Sequence, residues 1–378
     1  MMRLHGHWLP GQHGELRFGP LHSPPGTSCR EGPVETDVIS ARSFCASLLE
    51  ASGMEARPAH RTAWALVTAE VWGRPSHGLL RLPYYLDRFA SGGSDPRASL
   101  ELVRSGTVTA VLDGGNGLGH WQLWDASERA TAMASRHGIA AVSVANSGHC
   151  GALGLYVLPM LDAGLVGLAF STGPAVMPAY GGDRPVVSTS PLAAGIPMRP
   201  RPAIIDLATS AVARGRIAAH AASGEPIPEG WAFDAAGDVT TDATSALAGM
   251  LAPLGGAKGF ALAFLVESLT GGIVGPSLAT EIADPLAPGA AASAQRISHL
   301  VIALDPASLD GDGGSPERLE RLAASVCATG GRVPGTGHLA PDEILDTRPL
   351  IVADQLAATL VGIAEASGVP IPEGFVRP

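Results

Sequence analysis

Residues 138–172 read GIAAVSVANSGHCGALGLYVLPMLDAGLVGLAFST, and their pattern changes period twice. Gly138–Ser147 is rich in small and β-branched apolar residues and predicts a strand. Ala152–Gly164 carries longer apolar side chains at helical spacing, and Leu165–Thr172 returns to a strand pattern. Strand, helix and strand in succession indicate an α/β arrangement. Between the first two elements stands Gly148-His149-Cys150-Gly151. Two glycines there let backbone or ligand approach the imidazole closely. An imidazole at the end of a strand can handle a proton near neutrality. By itself it reads equally well as a loop histidine bonded to a carbonyl.

Upstream, Asp37 is placed to cap a helix over 38–52 with Ile39, Phe44, Leu48 and Leu49 on one face, and Gly53 stops it. A second helix is expected near 57–73, a turn at 74–82, and a helix from about 83 to 90, because Pro83 suits a first helical turn. Downstream, short strands are expected around Val186–Ser188, Ala193–Ile196 and Ala203–Leu207. A helix over 210–224, one over 258–271, a strand over 299–306 and helices near 315–328 and 351–367 complete the pattern. The apolar run from Gly259 to Pro276 contains Glu267, Gly271 and Gly272. A membrane span wants roughly 20 residues with few charges, so the run predicts a buried core helix.

Among 378 residues, 46% are hydrophobic and 16% charged, which suits a large folded core and argues against disorder. The 48 Gly and 31 Pro mark a loop-rich chain. The net charge of −10 comes with no basic stripe, so nucleic-acid binding is not expected. Cys29, Cys45, Cys150 and Cys327 form no CxxC pair, and reduced thiols in a cytoplasmic protein are the simpler reading. No secretory signal or membrane anchor is read. Residues 1–34 hold His5, His7, His13 and His22 without metal-ligand spacing and predict an atypical, disordered extension; no metal is expected.

Asp113-Gly-Gly-Asn-Gly-Leu-Gly119 invites a dinucleotide-fingerprint reading. Its glycines do not fit G-x-G-x-x-G, and no strand-to-helix unit of proper length is read around them. The Gly255–Phe260 run, GGAKGF, likewise lacks Walker spacing.

Three blocks carry a resemblance. The first is Ser76-His77-Gly78 with Arg81-Leu82-Pro83 and Tyr85. The second is Asn146–Ala152 followed by the long run to Pro197. The third is Asp206-Leu-Ala-Thr-Ser210, then Ala213-Arg-Gly215, Ile227-Pro-Glu-Gly-Trp231 and Leu254-Gly-Gly-Ala-Lys-Gly259. In order and spacing, from about residue 36 to 340, the chain resembles the non-Rossmann malate/L-lactate dehydrogenase family. That family also holds ureidoglycolate and sulfolactate dehydrogenases, diketogulonate reductase, and piperideine- and pyrroline-carboxylate reductases.

The resemblance implies an α/β fold with a mixed, largely antiparallel sheet and flanking helices. It implies a catalytic unit over 35–378: a helical part to about 110, a binding part over about 111–275, and a C-terminal part packing back on the first. It implies an NAD- or NADP-dependent oxidoreductase of a homodimeric type, acting on a small 2-hydroxy or 2-keto acid. A cyclic imino-acid reductase needs the same parts, and a non-catalytic protein retaining the fold is the rival from another class. His149 matches the catalytic histidine, and Arg81 is the candidate carboxylate clamp, since a guanidinium offers a carboxylate two parallel donors. His77 and Tyr85 resemble pocket residues, and Asp206 is expected to orient either cofactor or histidine. Cofactor contacts are implied at Gly173, Asp206, Leu207, Ala208 and Lys258, and more weakly at Gly335, Thr336 and Gly337, with Thr209 and Ser210 nearby. Lys258 would offer its cation from the start of a helix. Three departures stand out: Cys150 where a bulky aromatic is common, Ser188-Thr-Ser-Pro191 in place of Gly-Thr-Asn-Pro, and an Ala/Pro/Gly-rich 277–297.

Overall fold

The computed structural model describes residues 33–375 apart from positions 286 and 288. The residue 1–32 histidines and Cys29 therefore lie outside the described residues. Asp37 caps the Val38–Ala51 helix as expected, its Oδ1 accepting the Ser40 N–H at 2.7 Å, and Gly53 follows with φ +100°. The Ala56–Val71 helix packs on it, then two 3₁₀ turns at Pro75–His77 and Leu79–Arg81 lead into the Leu82–Ala90 helix. Val34–Asp37 pairs antiparallel with Pro349–Val352, which brings the Asp354–Ser367 helix onto these helices. Phe44, Leu49, Leu66, Tyr85, Leu360 and Phe375 fill the shared core.

The central sheet has seven strands. Their order is Glu101–Ser105, Thr109–Asp113, Ile139–Ser147, Ile297–Leu304, Val166–Ser171, Leu192–Ile196 and Ala203–Leu207. Every pairing is antiparallel except that of Thr109–Asp113 with Ile139–Ser147. The Gly119–His137 helix lies over the sheet, setting Leu123, Ala126, Ala130 and Ala134 against Val142, Val144 and Val301. Full burial of each valine contributes about 1.5–3 kcal/mol.

That parallel pair corrects one expectation. Thr109–Asp113, the glycine loop, the Gly119–His137 helix and Ile139–Ser147 do form a strand–helix–strand unit around Asp113–Gly119. The start of its helix carries no sequence signal, because the N-cap residue Leu118 offers no side-chain cap. The fold remains non-Rossmann, since this is the single parallel pair in an antiparallel sheet.

A second expectation fails as well. The apolar 259–276 run is not a buried helix. A helix covers Ala257–Glu267, gives way to a π turn at Ser268–Gly272, and buries only Gly259, Ala263, Val266 and Glu267. Phe264 is 60% exposed, Leu265 50% and Ile273 75%. Smaller shifts are local: the expected 210–224 helix starts at Arg214, and 351–367 divides into a strand and a helix.

Beside the sheet a smaller core of Met177, Val187, Val212, Ile217, Leu251 and Ala263 supports the segment that carries Lys258. On the other side, buried Arg88 donates to the carbonyls of Gly93 (2.6 Å), Ser293 (2.6 Å) and Ala290 (3.0 Å). It thereby fastens the Leu82–Ala90 helix to the segment that enters the Ile297–Leu304 strand.

Candidate active site

The Ile139–Ser147 strand reaches its end through an irregularity. Its register against Ile297–Leu304 shifts between Ile297 and His299, and Asn146 and Arg296 both adopt positive φ (+51° and +49°). Asn146 is held there by its Nδ2 donating to Asp113 Oδ2 at 2.7 Å. The chain then turns through Gly148 and presents His149.

Two neighbours hold that ring and a third holds its main chain. The Tyr85 hydroxyl lies 2.7 Å from Nδ1, the Gly151 N–H donates to the same nitrogen at 3.3 Å, and the His149 N–H donates to Gln295 Oε1 at 3.2 Å. A backbone N–H can only donate, so it favours the neutral ring with its hydrogen on Nε2; the phenol can donate or accept and tolerates either tautomer. Gln295 in turn donates to the Tyr84 hydroxyl at 3.3 Å.

More imidazoles surround it. His77 lies 6.0 Å and His120 6.3 Å from His149 between ring centroids. His120, 1% exposed, meets Tyr85 edge-on at 5.0 Å, and neither of its ring nitrogens has a partner. His299, wholly buried, places Nε2 3.2 Å from the Gly148 carbonyl. Burial, and then the Arg81 charge, drive the His149 pKa well below its usual 6.5. Burial brings His77 and His299 to about 4 and His120 to about 3. Burial likewise pushes the Cys150 thiol up to about 12.

Arg81 donates its Nε to the Ser76 carbonyl at 2.9 Å and has no ion pair among the described residues. Its charge bears on His77, Tyr85 and His149, so the first two sequence blocks converge. Asp206, at the end of the Ala203–Leu207 strand, pairs instead with Arg74 at 3.1 Å and faces His77, not His149. Sequence reading missed Arg74, His120, Gln295 and His299. Arg74 stood two residues before the quoted block; the others lie where a lone polar residue among apolar neighbours signals nothing.

Of the residues named for a cofactor, Gly173, Asp206, Leu207, Ala208 and Lys258 gather at the same sheet end, and Gly335 lies toward the start of the Ala203–Leu207 strand. Gly173 follows the Val166–Ser171 strand and lies near Ser188. Leu207 and Ala208 lead to Thr209, whose N–H and hydroxyl both donate to the Thr189 carbonyl at 2.9 Å. The Leu254 N–H donates to the Thr209 carbonyl at 2.8 Å, which brings Gly255, Gly256 and exposed Lys258 alongside. The Ser210 hydroxyl is taken by the Val212 carbonyl at 2.8 Å and that of Thr336 by the Val333 carbonyl at 2.8 Å. Gly335 packs flat on Ile204, and Gly337 is exposed. Among the described residues no set of three His, Cys, Asp or Glu is arranged to hold a metal ion, and no helix is long and apolar enough to cross a membrane.

A mixed sheet without a Rossmann unit, bearing this site at one end, defines a class of dehydrogenase. The chain belongs to the malate/L-lactate dehydrogenase family, whose model matches residues 37–346. It is 39% identical over 298 residues to a (2R)-3-sulfolactate dehydrogenase (NADP(+)) of Chromohalobacter salexigens, covering 78% of this chain and 88% of that one. Its fold matches sulfolactate dehydrogenase from Methanocaldococcus jannaschii with a TM-score of 0.79 at 27% identity, over 90% of this chain and 98% of that one. It also matches Δ1-piperideine-2-carboxylate reductase from Pseudomonas syringae pv. tomato, with a TM-score of 0.78 at 28% identity, over 87% and 99%. The family, fold and oxidoreductase class expected from the sequence motifs are confirmed.

Proposed function

We propose that the protein moves a hydride between a nicotinamide cofactor and C2 of a small carboxylate, either a 2-keto/2-hydroxy acid or its cyclic imine counterpart. The observation that carries this reading is the Tyr85–His149 contact of 2.7 Å lying in the field of unpaired Arg81. Arg81 is the carboxylate clamp: its two terminal nitrogens bind one carboxylate, fix C2 and neutralise the charge. With Nδ1 engaged, His149 turns Nε2 to the heteroatom on C2, where it exchanges a hydrogen bond or proton. His77 and Tyr85 line the pocket, and Asp206 holds Arg74 beside His77.

The cofactor residues fit a dinucleotide. Gly255 and Gly256 take φ of +60° and +67°, and no heavy atom lies within 4 Å of a Cβ built on Gly255. The Gly256 N–H is taken by the Pro253 carbonyl at 3.0 Å, and the Gly255 amide and the Lys258 ammonium at the start of the Ala257–Glu267 helix make a donor set suited to a diphosphate. Gly173 and Asp206–Ala208 would flank the rest, with Gly335–Gly337 at the margin. When bound, the cofactor supplies or accepts the hydride. The named relative's use of NADP(+) makes NADPH the first choice over NADH.

A second copy of the chain covers Leu262, Phe264, Leu265 and Ile273 in this reading, making a homodimer. Free Cys45, Cys150 and Cys327 suit a reducing, cytoplasmic setting.

The test is NAD(P)H oxidation against a panel of 2-keto and cyclic imino acids, with His149→Ala lowering turnover on the order of 10²–10⁴-fold. Near-normal turnover in that variant removes His149 from the chemistry. Failure of NADH and NADPH to quench tryptophan fluorescence supports a non-catalytic protein with this fold.

A further inference from the structure

Glu70 stands in the last turn of the Ala56–Val71 helix and takes no part in the chemistry proposed above. Its side chain is half-buried, and its charge bears on the buried Cys45 thiol of the Val38–Ala51 helix. Among the described residues no cation pairs with it. Its Oε2 accepts the Leu79 N–H at 3.0 Å. Holding a carboxylate out of water for a single amide costs free energy, and burial raises its pKa accordingly. That amide lies at the joint of the wall that carries His77 and Arg81. Gly78 closes the Pro75–His77 turn, its N–H donating to the Pro75 carbonyl at 3.1 Å. It also opens the Leu79–Arg81 turn, its carbonyl accepting the Arg81 N–H at 3.0 Å. The bond from Arg81 Nε to the Ser76 carbonyl, 2.9 Å, braces the joint within the wall. Glu70 ties the same joint to the helix behind it. The fit leaves no slack: a Cβ on Gly78 would collide with Glu70 Oε2 and stand 3.2 Å from the Leu66 carbonyl.

We infer that Glu70 is a positioning residue: it sets the angle between the His77 turn and the Arg81 turn, and so where the substrate carboxylate docks relative to His149. This rests on the hydride-transfer reading above, in which Arg81 clamps that carboxylate. Without the Leu79 anchor the wall pivots on a glycine, the residue whose backbone resists least. The guanidinium then moves with its turn, and a displacement of about 1 Å at a substrate-positioning group costs on the order of 10²-fold. The role needs an acceptor at the end of the side chain and not a charge. A glutamine oxygen meets that need, and a leucine does not.

The test measures kcat and both KM values on the best substrate of the panel for Glu70→Gln, Glu70→Leu, Gly78→Ala and the Glu70→Leu/Gly78→Ala double variant. Glu70→Leu is expected to raise the KM for the carboxylate substrate about 10-fold or more and to leave the KM for NADPH where it was. Glu70→Gln should stay close to wild type. The Gly78→Ala methyl pushes the carboxylate off the Leu79 amide, so this variant should reproduce the leucine defect. The double variant should be no worse than the poorer single one, because both break one contact. An unmoved substrate KM in Glu70→Leu overturns the inference, as do a glutamine variant as impaired as the leucine one and defects that add in the double variant. Should Glu70→Leu not fold, an unmoved substrate KM in Gly78→Ala overturns it equally. Arg81→Lys separates this failure from that of the underlying reading. If its KM rises while Glu70→Leu stays normal, the inference alone falls; if wild type turns over no substrate, both fall.

Discussion

At Arg81 the guanidinium is held at one end by the Ser76 carbonyl and left free at the other, so its planar fork is pre-set for a carboxylate. Arg81→Lys keeps the charge and loses the fork. We expect kcat/KM to fall on the order of 10²-fold, mostly in KM, measured by steady-state kinetics on the best substrate. An unchanged KM removes Arg81 from substrate binding. The buried histidines set a different dependence. For His120 and His299 the folded pKa lies below the unfolded value of 6.5. The unfolded chain therefore binds more protons as pH drops through that value. Their contribution is complete above about pH 6.5 and is lost progressively as pH falls toward about 4. Raised carboxyls at Glu70 and Glu267 act in the opposite sense. The urea midpoint should drop between pH 7 and pH 5.5, and should drop less in His299→Gln; a flat midpoint contradicts the burial of these rings.

Among the elements, sequence was most readable where one residue decides the local backbone. Asp37 and Gly53 bracket their helix because a cap and a left-handed glycine are local chemistry, and the Ala203–Leu207 and Ser315–Ala328 boundaries follow equally local patterns. The Gly119–His137 helix was invisible by the same logic, since Leu118 offers no cap. His149, Arg81 and Tyr85 were legible because they sit in dense motifs. The residues that tune them, His120, Gln295 and Arg74, enter through tertiary packing and leave no spacing to read. One glycine in the weaker cofactor motif now has a firm physical reason. Any Cβ at Gly335 would stand 2.7 Å from the Ile204 backbone and side chain, at φ +81°. Gly335→Ala should cost about 1–3 kcal/mol and loosen the segment through His338, whose ring stacks on Trp72 at 4.6 Å. Chemical denaturation checks the first effect and the local tryptophan emission the second.

For the molecule as a whole, the misread apolar run is informative. A helix apolar nearly all round belongs in a core, yet Phe264, Leu265 and Ile273 face outward. Sequence alone could not tell a core within the chain from one completed by a second copy. Under the proposed dimer, Phe264→Glu combined with Ile273→Glu should halve the mass seen by light scattering. A wild-type monomer at micromolar concentration would sink the dimer.

Arg88 links these scales. Two of its three carbonyl bonds, to Ala290 and Ser293, yoke the helix bearing Tyr85 to the segment bearing Gln295. Since Tyr85 holds the ring of His149 and Gln295 its main chain, a shift in one grip is carried to the other. Arg88→Met would strand three acceptors, costing about 3 kcal/mol by urea titration. Any breathing of this wall should therefore release the imidazole's ring and its main chain together, so that the site opens as one leaf and not as two.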